Sequence, residues 1–449
     1  MSPDLNESSI APHARPRRVA ALLVALIAAA GFAALAAPGA DAERKKTGVK
    51  PVLYVGNNWE GTADIIQPRG KFKRLARLNI IPDIDERMME IYLNPIRLGY
   101  FLAIRELVGE GNDQFVDDMF SSKDGRVLFV SRPSLADVVA IRIKTGEILW
   151  RFVVDGQRSD HMAISPDGKQ LAVSASTGNV VHIVNTKTGL EVDRFDSGDS
   201  PHENNYSKNG KRLFHASIGM VYTPADDPLT DSTKGERVFQ IVRTRDYKVL
   251  KTVNMGAKLA QAGYPQMSAA VRPMAISPDE RFVYLQVSFF HGFVEYDLRK
   301  HKVTRLARLP VAAGVEDIPK EQYLLDSAHH GIAMNRKGTK LCVAGTMSDY
   351  AAIVSRKSFK FKRFNSGLKP YWSTNSGNGK LCFVSFSGSD RVSVYSYRKR
   401  KEIARIQVGD HPQRIRMGRA RRGWLRQIAS PTRTQLRIPA TGAAPGTAG

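Results

Sequence analysis

Short apolar runs separated by polar turns recur along most of this chain. In the clearest copy, four runs predict four consecutive strands, at His161–Ser165, Leu171–Ser174, Val180–Val184 and Leu190–Phe195. The pair Asp167–Gly168 lies between the first two runs, and its glycine supplies the positive φ that a tight turn requires. The first three runs show little polar alternation, which is typical of strands buried on both faces between stacked sheets.

The turn after the first strand recurs at a nearly constant spacing. Equivalent turns lie at residues 124–125, 167–168, 209–210, 337–338 and 378–379, with a degenerate copy at 279–280. Neighbouring copies without an insertion are 43, 42 and 41 residues apart. A period of roughly 40–45 residues that carries four short strands is typical of one blade of a β-propeller.

The two ends of the repeat region carry incomplete copies. Val52–Val55 reads as a second strand with no first strand before it, and His411–Met417 reads as a first strand with no second strand after it. Together the two fragments complete one blade. The sequence therefore predicts an all-β fold, a seven-bladed β-propeller over residues 43–417, closed by pairing of the C-terminal strand with the N-terminal strands. Such closure removes exposed sheet edges.

The repeat phrase also carries a resemblance. From Ile164 the chain reads Ile-Ser-Pro-Asp-Gly-Lys-x-Leu-x-Val-Ser, and from Val181 it reads Val-x-x-x-Asn-Thr-Lys-Thr-Gly. This phrase resembles the YVTN/YncE-like bacterial propellers, which group with the haem d1 domain of nitrite reductase and the quinoprotein amine dehydrogenases. The resemblance covers residues 51–417 and implies the fold. It leaves the activity open, because that superfamily includes binding modules, redox enzymes and lactonases.

The N-terminal segment has the order of a secretory signal. Arginines at 15, 17 and 18 precede an uncharged apolar stretch, Val19–Ala37, and Ala40–Asp41–Ala42 follows it. We predict a signal peptide over residues 1–42, cleaved after Ala42. The alternative is an uncleaved membrane anchor, because the stretch is near the lower length limit of a spanning helix. Either interpretation places the propeller outside the cytoplasm.

The chain has two cysteines, Cys342 and Cys382, at equivalent positions of neighbouring blades. Stacked sheets lie about 10 Å apart. A disulfide requires Cα atoms within about 7 Å of each other. We therefore predict two buried free thiols and no disulfide.

The formal net charge of the chain is +24. Eight arginines lie between Arg414 and Arg437, and no acidic residue follows His411, so residues 418–449 are predicted to be a basic disordered tail. Basic clusters also recur at 299–302, 356–363 and 398–401. One interpretation is a solvated basic surface; the other is adhesion to an anionic component of the cell envelope. A nucleic-acid partner is not expected for an exported chain.

Four insertions interrupt the repeat, at residues 83–112, 219–237, 255–269 and 310–327. Strand order places all four on one face of the propeller, opposite the short turns. Long loops on a rigid scaffold are where binding sites commonly occur.

Polar residues mark the starts of the inner strands, which lie on the same face at the mouth of the central channel. Most of these polar residues lie six or seven positions before a turn. Together they predict a ring of side chains, called here the polar collar: Asp117, Asp118, Asp160, His161, His202, Glu203, Arg272, His329, His330, Tyr371 and Trp372. One interpretation is that water solvates these side chains. The other is a ligand site, in which His161, His202 and His330 would be the ligands of any metal. A non-covalent haem-like or quinone cofactor is a further alternative.

No familiar catalytic motif accompanies this collar, and no residue is assigned a catalytic role. The sequence contains no Cys-x-x-Cys-His, Gly-x-Ser-x-Gly, His-Glu-x-x-His or P-loop. The favoured hypothesis is an exported, monomeric propeller that binds a small ligand or a protein partner on the long-loop face. One alternative is an enzyme or redox protein with a metal or non-covalent cofactor at the collar. The other is an envelope scaffold attached through its basic face and tail.

Overall fold

Seven four-stranded antiparallel sheets follow one another along the chain. The computed structural model describes residues 48–220, 233–323, 327–426 and 428, and these residues form 28 strands. The innermost strands of successive sheets contact one another in cyclic order, and the last contacts the first. The fold is therefore all-β and a seven-bladed propeller, as predicted. The signal or anchor predicted over residues 1–42 lies outside the described residues.

Each blade runs from an inner to an outer strand. The first blade contains β1 (Val49–Asn57), β2 (Thr62–Ile66) and β3 (Arg74–Asn79), and the second contains β4 (Met119–Ser121), β5 (Val127–Arg132), β6 (Asp137–Arg142) and β7 (Ile148–Val153). The third contains β8 (Ser159–Ile164), β9 (Gln170–Ala175), β10 (Val180–Asn185) and β11 (Glu191–Asp196). The fourth contains β12 (Pro201–Tyr206), β13 (Arg212–Ser217), β14 (Phe239–Arg243) and β15 (Lys248–Val253).

The remaining blades follow the same order. The fifth contains β16 (Val271–Ile276), β17 (Phe282–Val287), β18 (Gly292–Asp297) and β19 (Lys302–Arg308). The sixth contains β20 (Ile332–Met334), β21 (Lys340–Gly345), β22 (Tyr350–Ser355) and β23 (Phe361–Phe364). The seventh contains β24 (Pro370–Asn375), β25 (Leu381–Phe386), β26 (Arg391–Ser396) and β27 (Lys401–Gln407), and β28 (Pro412–Arg421) completes the first.

The closing strand β28 pairs antiparallel with β1, with Leu53 opposite Met417. This confirms closure by the two ends of the repeat region. The strand continues to Arg421, four residues beyond the predicted domain limit at residue 417. Closure is reinforced between blades, because the Arg416 guanidinium donates to both carboxylate oxygens of Asp118 at 2.8 and 2.7 Å.

The recurring turn is built by the same hydrogen bonds in most blades. In the third blade, the hydroxyl oxygen of Ser165 accepts from the backbone N–H groups of Lys169 at 3.2 Å and Gln170 at 3.0 Å. Gly168 has a φ of +78°, which favours glycine. Equivalent serines accept from the backbone in the second, fourth, fifth and seventh blades. The repeat phrase is therefore explained by the turn that joins the first and second strands.

The insertions lie on the face of the propeller opposite these turns. The first contains two helices, α1 (Ile84–Tyr92) and α2 (Pro95–Leu107), and the side chain of Asn94 caps α2 by accepting from the Arg97 N–H at 3.0 Å. The third contains α3 (Met255–Gln261), and the fourth contains a 3-10 helix at Lys320–Gln322. Further 3-10 helices lie at Pro133–Leu135, Thr346–Ser348, Ser387–Ser389 and Trp424–Arg426. Within the described ranges, no helix is long and apolar enough to cross a membrane.

The prediction of two free thiols is wrong. Cys342 in β21 and Cys382 in β25 form a disulfide, and their Cα atoms are 6.5 Å apart. The sheet spacing of about 10 Å applies to sheets that stack in parallel layers. Propeller blades instead radiate from an axis, so neighbouring second strands lie closer together than the outer strands. The bond links the sixth and seventh blades.

Removing the disulfide should destabilise the propeller. The linked cysteines are 40 residues apart, and for a loop of that length the chain-entropy model gives about 4 kcal/mol. We expect a reducing agent to lower the denaturant midpoint of the wild-type chain. The Cys342→Ser/Cys382→Ser variant should start at the lower midpoint and show no response to the reductant. An equal midpoint for the reduced and oxidised wild type would contradict the prediction.

Loss of Arg416 should also destabilise the fold, because it leaves the buried carboxylate of Asp118 without its cation. Removing one partner of a buried ion pair costs about 3–5 kcal/mol. We expect Arg416→Met to lose that amount of unfolding free energy in chemical denaturation. Adding Asp118→Asn should recover most of the loss, since position 118 then carries no charge that lacks a partner. A double variant as unstable as Arg416→Met would show that the charge is not the cause.

Candidate functional site

The predicted collar lies where the inner strands begin. Strand β8 carries Asp160 and His161 in its first half, and β12 carries His202 and Glu203 at the equivalent place. All four residues are buried. Because the inner strands surround the axis in cyclic order, equivalent positions converge on the channel.

A small cavity of about 30 Å³ lies at this convergence. Seven of the predicted site residues line it: Asp117, Asp160, His161, His202, Arg272, His330 and Tyr371. The other lining residues are Val108, Gln114, Pro133, Arg158, Ile218, Gln413 and Arg414. The cavity is therefore bounded mainly by the inner strands, with contributions from Val108 of the first insertion and from residues in other connections.

Three predicted residues lie directly behind the cavity wall. Asp118 binds Arg416, and Glu203 binds the His161 ring. The Trp372 ring lies 4.0 Å from the Arg414 guanidinium carbon, which stacks over it. Glu203 and Trp372 therefore contact lining residues, whereas Asp118 contacts the closing strand.

His329 does not line the cavity, although it was included in the predicted collar. Its Nε2 atom lies 2.9 Å from the hydroxyl of Tyr350, the first residue of the third strand of the same blade. Successive residues of an extended segment point in opposite directions. His330 therefore faces the channel, and His329 points into the blade.

His161 and His202 are each held by a carboxylate through Nδ1. The distance is 2.7 Å from His161 to Glu203 and 3.0 Å from His202 to Asp160. Neither Nε2 atom has a hydrogen-bond partner among the described residues. The two rings are close, with centroids 3.7 Å apart.

His330 has no hydrogen-bond partner at either ring nitrogen within the part of the chain that the structure describes. Its ring stacks on Tyr371, with centroids 4.1 Å apart and an interplanar angle of 28°. It also lies 6.0 Å from the His161 ring and 5.9 Å from the His202 ring. Stacking therefore holds this histidine in place.

The three cavity histidines are neutral at physiological pH. Burial lowers the pKa of His161 and of His330 well below 6.5, and Arg414 lowers both further. Burial also lowers the pKa of His202 to about 4, although Asp160 opposes the shift. A neutral imidazole carries one nitrogen lone pair that can accept a proton or bind a cation.

Two arginines that line the cavity each lie beside a carboxylate. Arg414 lies 3.1 Å from Asp117, and Arg158 lies 3.0 Å from Asp160. Burial raises the pKa of Asp117 to about 7, although Arg414 opposes the shift. Burial would also raise the pKa of Asp160, but Arg158 and His202 outweigh it and lower that pKa. Burial raises the pKa of Glu203 to about 7.

Two buried histidines outside the cavity show what a satisfied ring looks like in this protein. The nitrogens of His215 lie 2.9 Å from Asn204 Oδ1 and 2.8 Å from Ser197 Oγ. His182 contacts Glu191 through Nδ1 and accepts from the Asp155 N–H at Nε2. Both nitrogens of these rings are satisfied. Each cavity histidine, by contrast, leaves at least one nitrogen without a partner among the described residues, as His329 also does at Nδ1.

Arg158 is a lining residue that sequence reasoning missed, together with Val108, Gln114, Pro133 and Ile218. Arg158 precedes β8 and reaches Asp160, two residues away. The sequence feature that could have identified Arg158 is its position just before the start of an inner strand. The other four lie in connections whose lengths vary between blades, so the repeat does not place them.

A planar haem-like or quinone cofactor does not fit this cavity. Pockets for larger organic ligands occupy roughly 300–1,000 Å³, whereas this cavity measures about 30 Å³. A buried water needs about 10–15 Å³. A metal ion with a water molecule, or an anion of a few atoms, does fit.

A scan against protein-family models gives no match, and neither does a search of the curated proteins.

His215 should make the propeller sensitive to acid. Burial lowers its pKa to about 3 in the folded chain, whereas an unfolded histidine has a pKa near 6.5. Between these values the unfolded chain binds the proton and the folded chain does not, so stability falls as the pH falls from 6.5. Each pKa unit corresponds to about 1.4 kcal/mol, which gives about 2 kcal/mol at pH 5.

When the pH is lowered from 7.5 to 5, the unfolding free energy of the His215→Asn variant should fall by about 2 kcal/mol less than that of wild type. Urea titrations at both pH values measure this difference. Between pH 7.5 and 8.5 the pH dependence of the two chains should agree, because this histidine is then neutral in both states. Equal losses of unfolding free energy in the two chains down to pH 5 would contradict the assignment of this acid sensitivity to His215.

Proposed function

We propose that this protein is a binding module that holds a small ligand in the cavity at the mouth of its central channel. The observation that carries the proposal is a set of buried polar atoms that face one cavity without partners among the described residues. They are the Nε2 atoms of His161 and His202, both ring nitrogens of His330, and one carboxylate oxygen of Asp117. Buried polar groups in folded proteins are almost always hydrogen-bonded. A bound ligand would supply the absent partners.

The size of the cavity limits the ligand to an ion or a group of a few atoms. Its lining offers neutral nitrogen atoms, carboxylates and guanidinium groups. The first two suit a cation, and the guanidinium groups suit a small anion. Both ligand classes would bind at the same place, and the experiment below separates them.

We also propose an extracytoplasmic location. The pattern of residues 1–42 supports it, and the Cys342–Cys382 disulfide adds support, because disulfides persist mainly in oxidising compartments. The basic clusters lie at turns between third and fourth strands, on the face opposite the cavity. That placement is compatible with an anionic envelope surface as a second partner.

Thermal unfolding in the presence of small ligands tests the binding proposal. The panel contains the chlorides of zinc, nickel and calcium, and sodium phosphate, sulfate and acetate. A ligand that binds only the folded state stabilises it by about 2.7 kcal/mol at 100 times its Kd. We expect at least one member of the panel to raise the midpoint saturably.

The variants Arg272→Met and His330→Phe show whether the ligand binds in the cavity. Loss of the guanidinium should abolish stabilisation by an anion, and loss of the imidazole should abolish stabilisation by a cation. Arg299→Met makes the same change on an exposed residue of the opposite face, and it should leave every response unchanged. If no ligand stabilises the wild type, or if both cavity variants respond as the wild type does, the proposal is wrong.

A further inference from the structure

Three of the cavity nitrogens are arranged like the ligands of a metal ion. One ring nitrogen from each of His161, His202 and His330 lies within 4.8 Å of the other two, and all three side chains are buried. They come from the third, fourth and sixth blades, so the ring of blades and not a local sequence motif brings them together.

The carboxylates behind two of these rings fix which nitrogen is available. Glu203 and Asp160 engage the Nδ1 atoms of His161 and His202. The Nε2 atoms therefore face the cavity. Metal-binding histidines almost always bond to a carboxylate or carbonyl through their other nitrogen, which fixes the tautomer and the ring orientation. This structure provides that arrangement twice.

The third ring is free to complete the set. In a tetrahedral site with metal–nitrogen bonds of about 2.0–2.1 Å, ligand nitrogens lie roughly 3.3 Å apart. The three rings must therefore approach one another by as much as about 1.5 Å on binding. His330 is the ring best able to move, because neither of its nitrogens is held by a hydrogen bond from the described residues.

Oxygen ligands lie next to the nitrogens. Asp117 and Asp160 each place an oxygen within 4.8 Å of a His161 nitrogen and of each other. These two carboxylates share only His161 with the set of three histidines, and one oxygen of Asp117 has no hydrogen-bond partner among the described residues, so Asp117 can add an oxygen ligand next to His161. A set of imidazoles with one carboxylate suits zinc, nickel, copper or iron, whereas magnesium and calcium prefer oxygen ligands only.

The nearby arginines do not make the cavity a purely cationic site. Arg158, Arg414 and Arg416 each pair with a carboxylate, namely Asp160, Asp117 and Asp118. These carboxylates partly offset the charges of the three guanidinium groups, and Arg272 also lines the cavity. The cavity volume of about 30 Å³ accommodates one ion and a water molecule.

From this geometry we infer that His161, His202 and His330 bind one divalent transition-metal ion at the channel mouth, with Asp117 as the neighbouring oxygen ligand. The inference rests on the proposed small-ligand function and names the ligand class.

The test is isothermal titration of the tag-free, chelator-treated full chain with zinc chloride and nickel chloride. We expect one ion per chain and no binding of calcium or magnesium at the same concentrations. His330→Phe keeps the ring and its stacking but removes both nitrogens, and it should weaken zinc binding at least tenfold. His329→Phe is the matched control, because that neighbouring histidine points away from the cavity, and it should bind zinc like wild type.

X-ray absorption of the zinc-loaded wild type gives a second measurement that does not depend on a variant folding. A first shell containing about three imidazole nitrogens supports the site. Absence of zinc and nickel binding, a shell of oxygen atoms only, or equal affinities of wild type and a folded His330→Phe would each overturn the inference. If phosphate or sulfate stabilises the wild type in an Arg272-dependent way while no metal binds, the binding module stands and the metal site does not.

Discussion

Pairing of the C-terminal strand with the N-terminal strand is the constraint on which the rest of this structure depends. Strand β28 supplies the innermost strand of the first blade, and it hydrogen-bonds to β1 across more than 350 residues of chain. The same strand brings Arg414 to Asp117 and Arg416 to Asp118, at the start of the second blade. Closing the ring and completing the cavity are therefore one event, and a chain that fails to close would lack both.

The cavity departs from the pattern of the surrounding core. The buried rings of His182 and His215 are hydrogen-bonded at both nitrogens, and the blades pack through Val, Ile, Leu and aromatic side chains. Around the channel mouth, carboxylates, guanidinium groups and imidazoles are buried together instead. Burying such groups is unfavourable unless they are paired. Sites where a sequence accepts that penalty are commonly functional sites.

Much of this arrangement could be predicted from the sequence. The turn recurs because the same serine hydrogen bonds close the first hairpin in most blades, so the blade count and the closure follow from it. Counting back from the turn also works, because the inner strands keep a constant register. Spacing alone therefore predicts that Asp160, His202 and His330 lie together at the channel mouth, and all three line the cavity.

The errors have physical causes as well. The disulfide was missed because blades converge toward the axis, whereas the prediction used the spacing of parallel layers. His329 was included because it is next to His330 in the sequence, but neighbouring residues of an extended segment point in opposite directions. Arg158 and Ile218 lie just outside the regular strands, where the repeat gives no information.

The closure of the ring also determines how the molecule could be presented to its surroundings. Residues Val49 and Arg421 are paired, and the Arg422 N–H donates to the Gly48 carbonyl at 2.8 Å, so the propeller begins and ends at one point. Because β28 starts at the cavity, that point is on the opposite face, together with the short turns and their basic clusters. An attachment through either end of the propeller, or through the basic face, would therefore leave the channel mouth on the side away from the attachment.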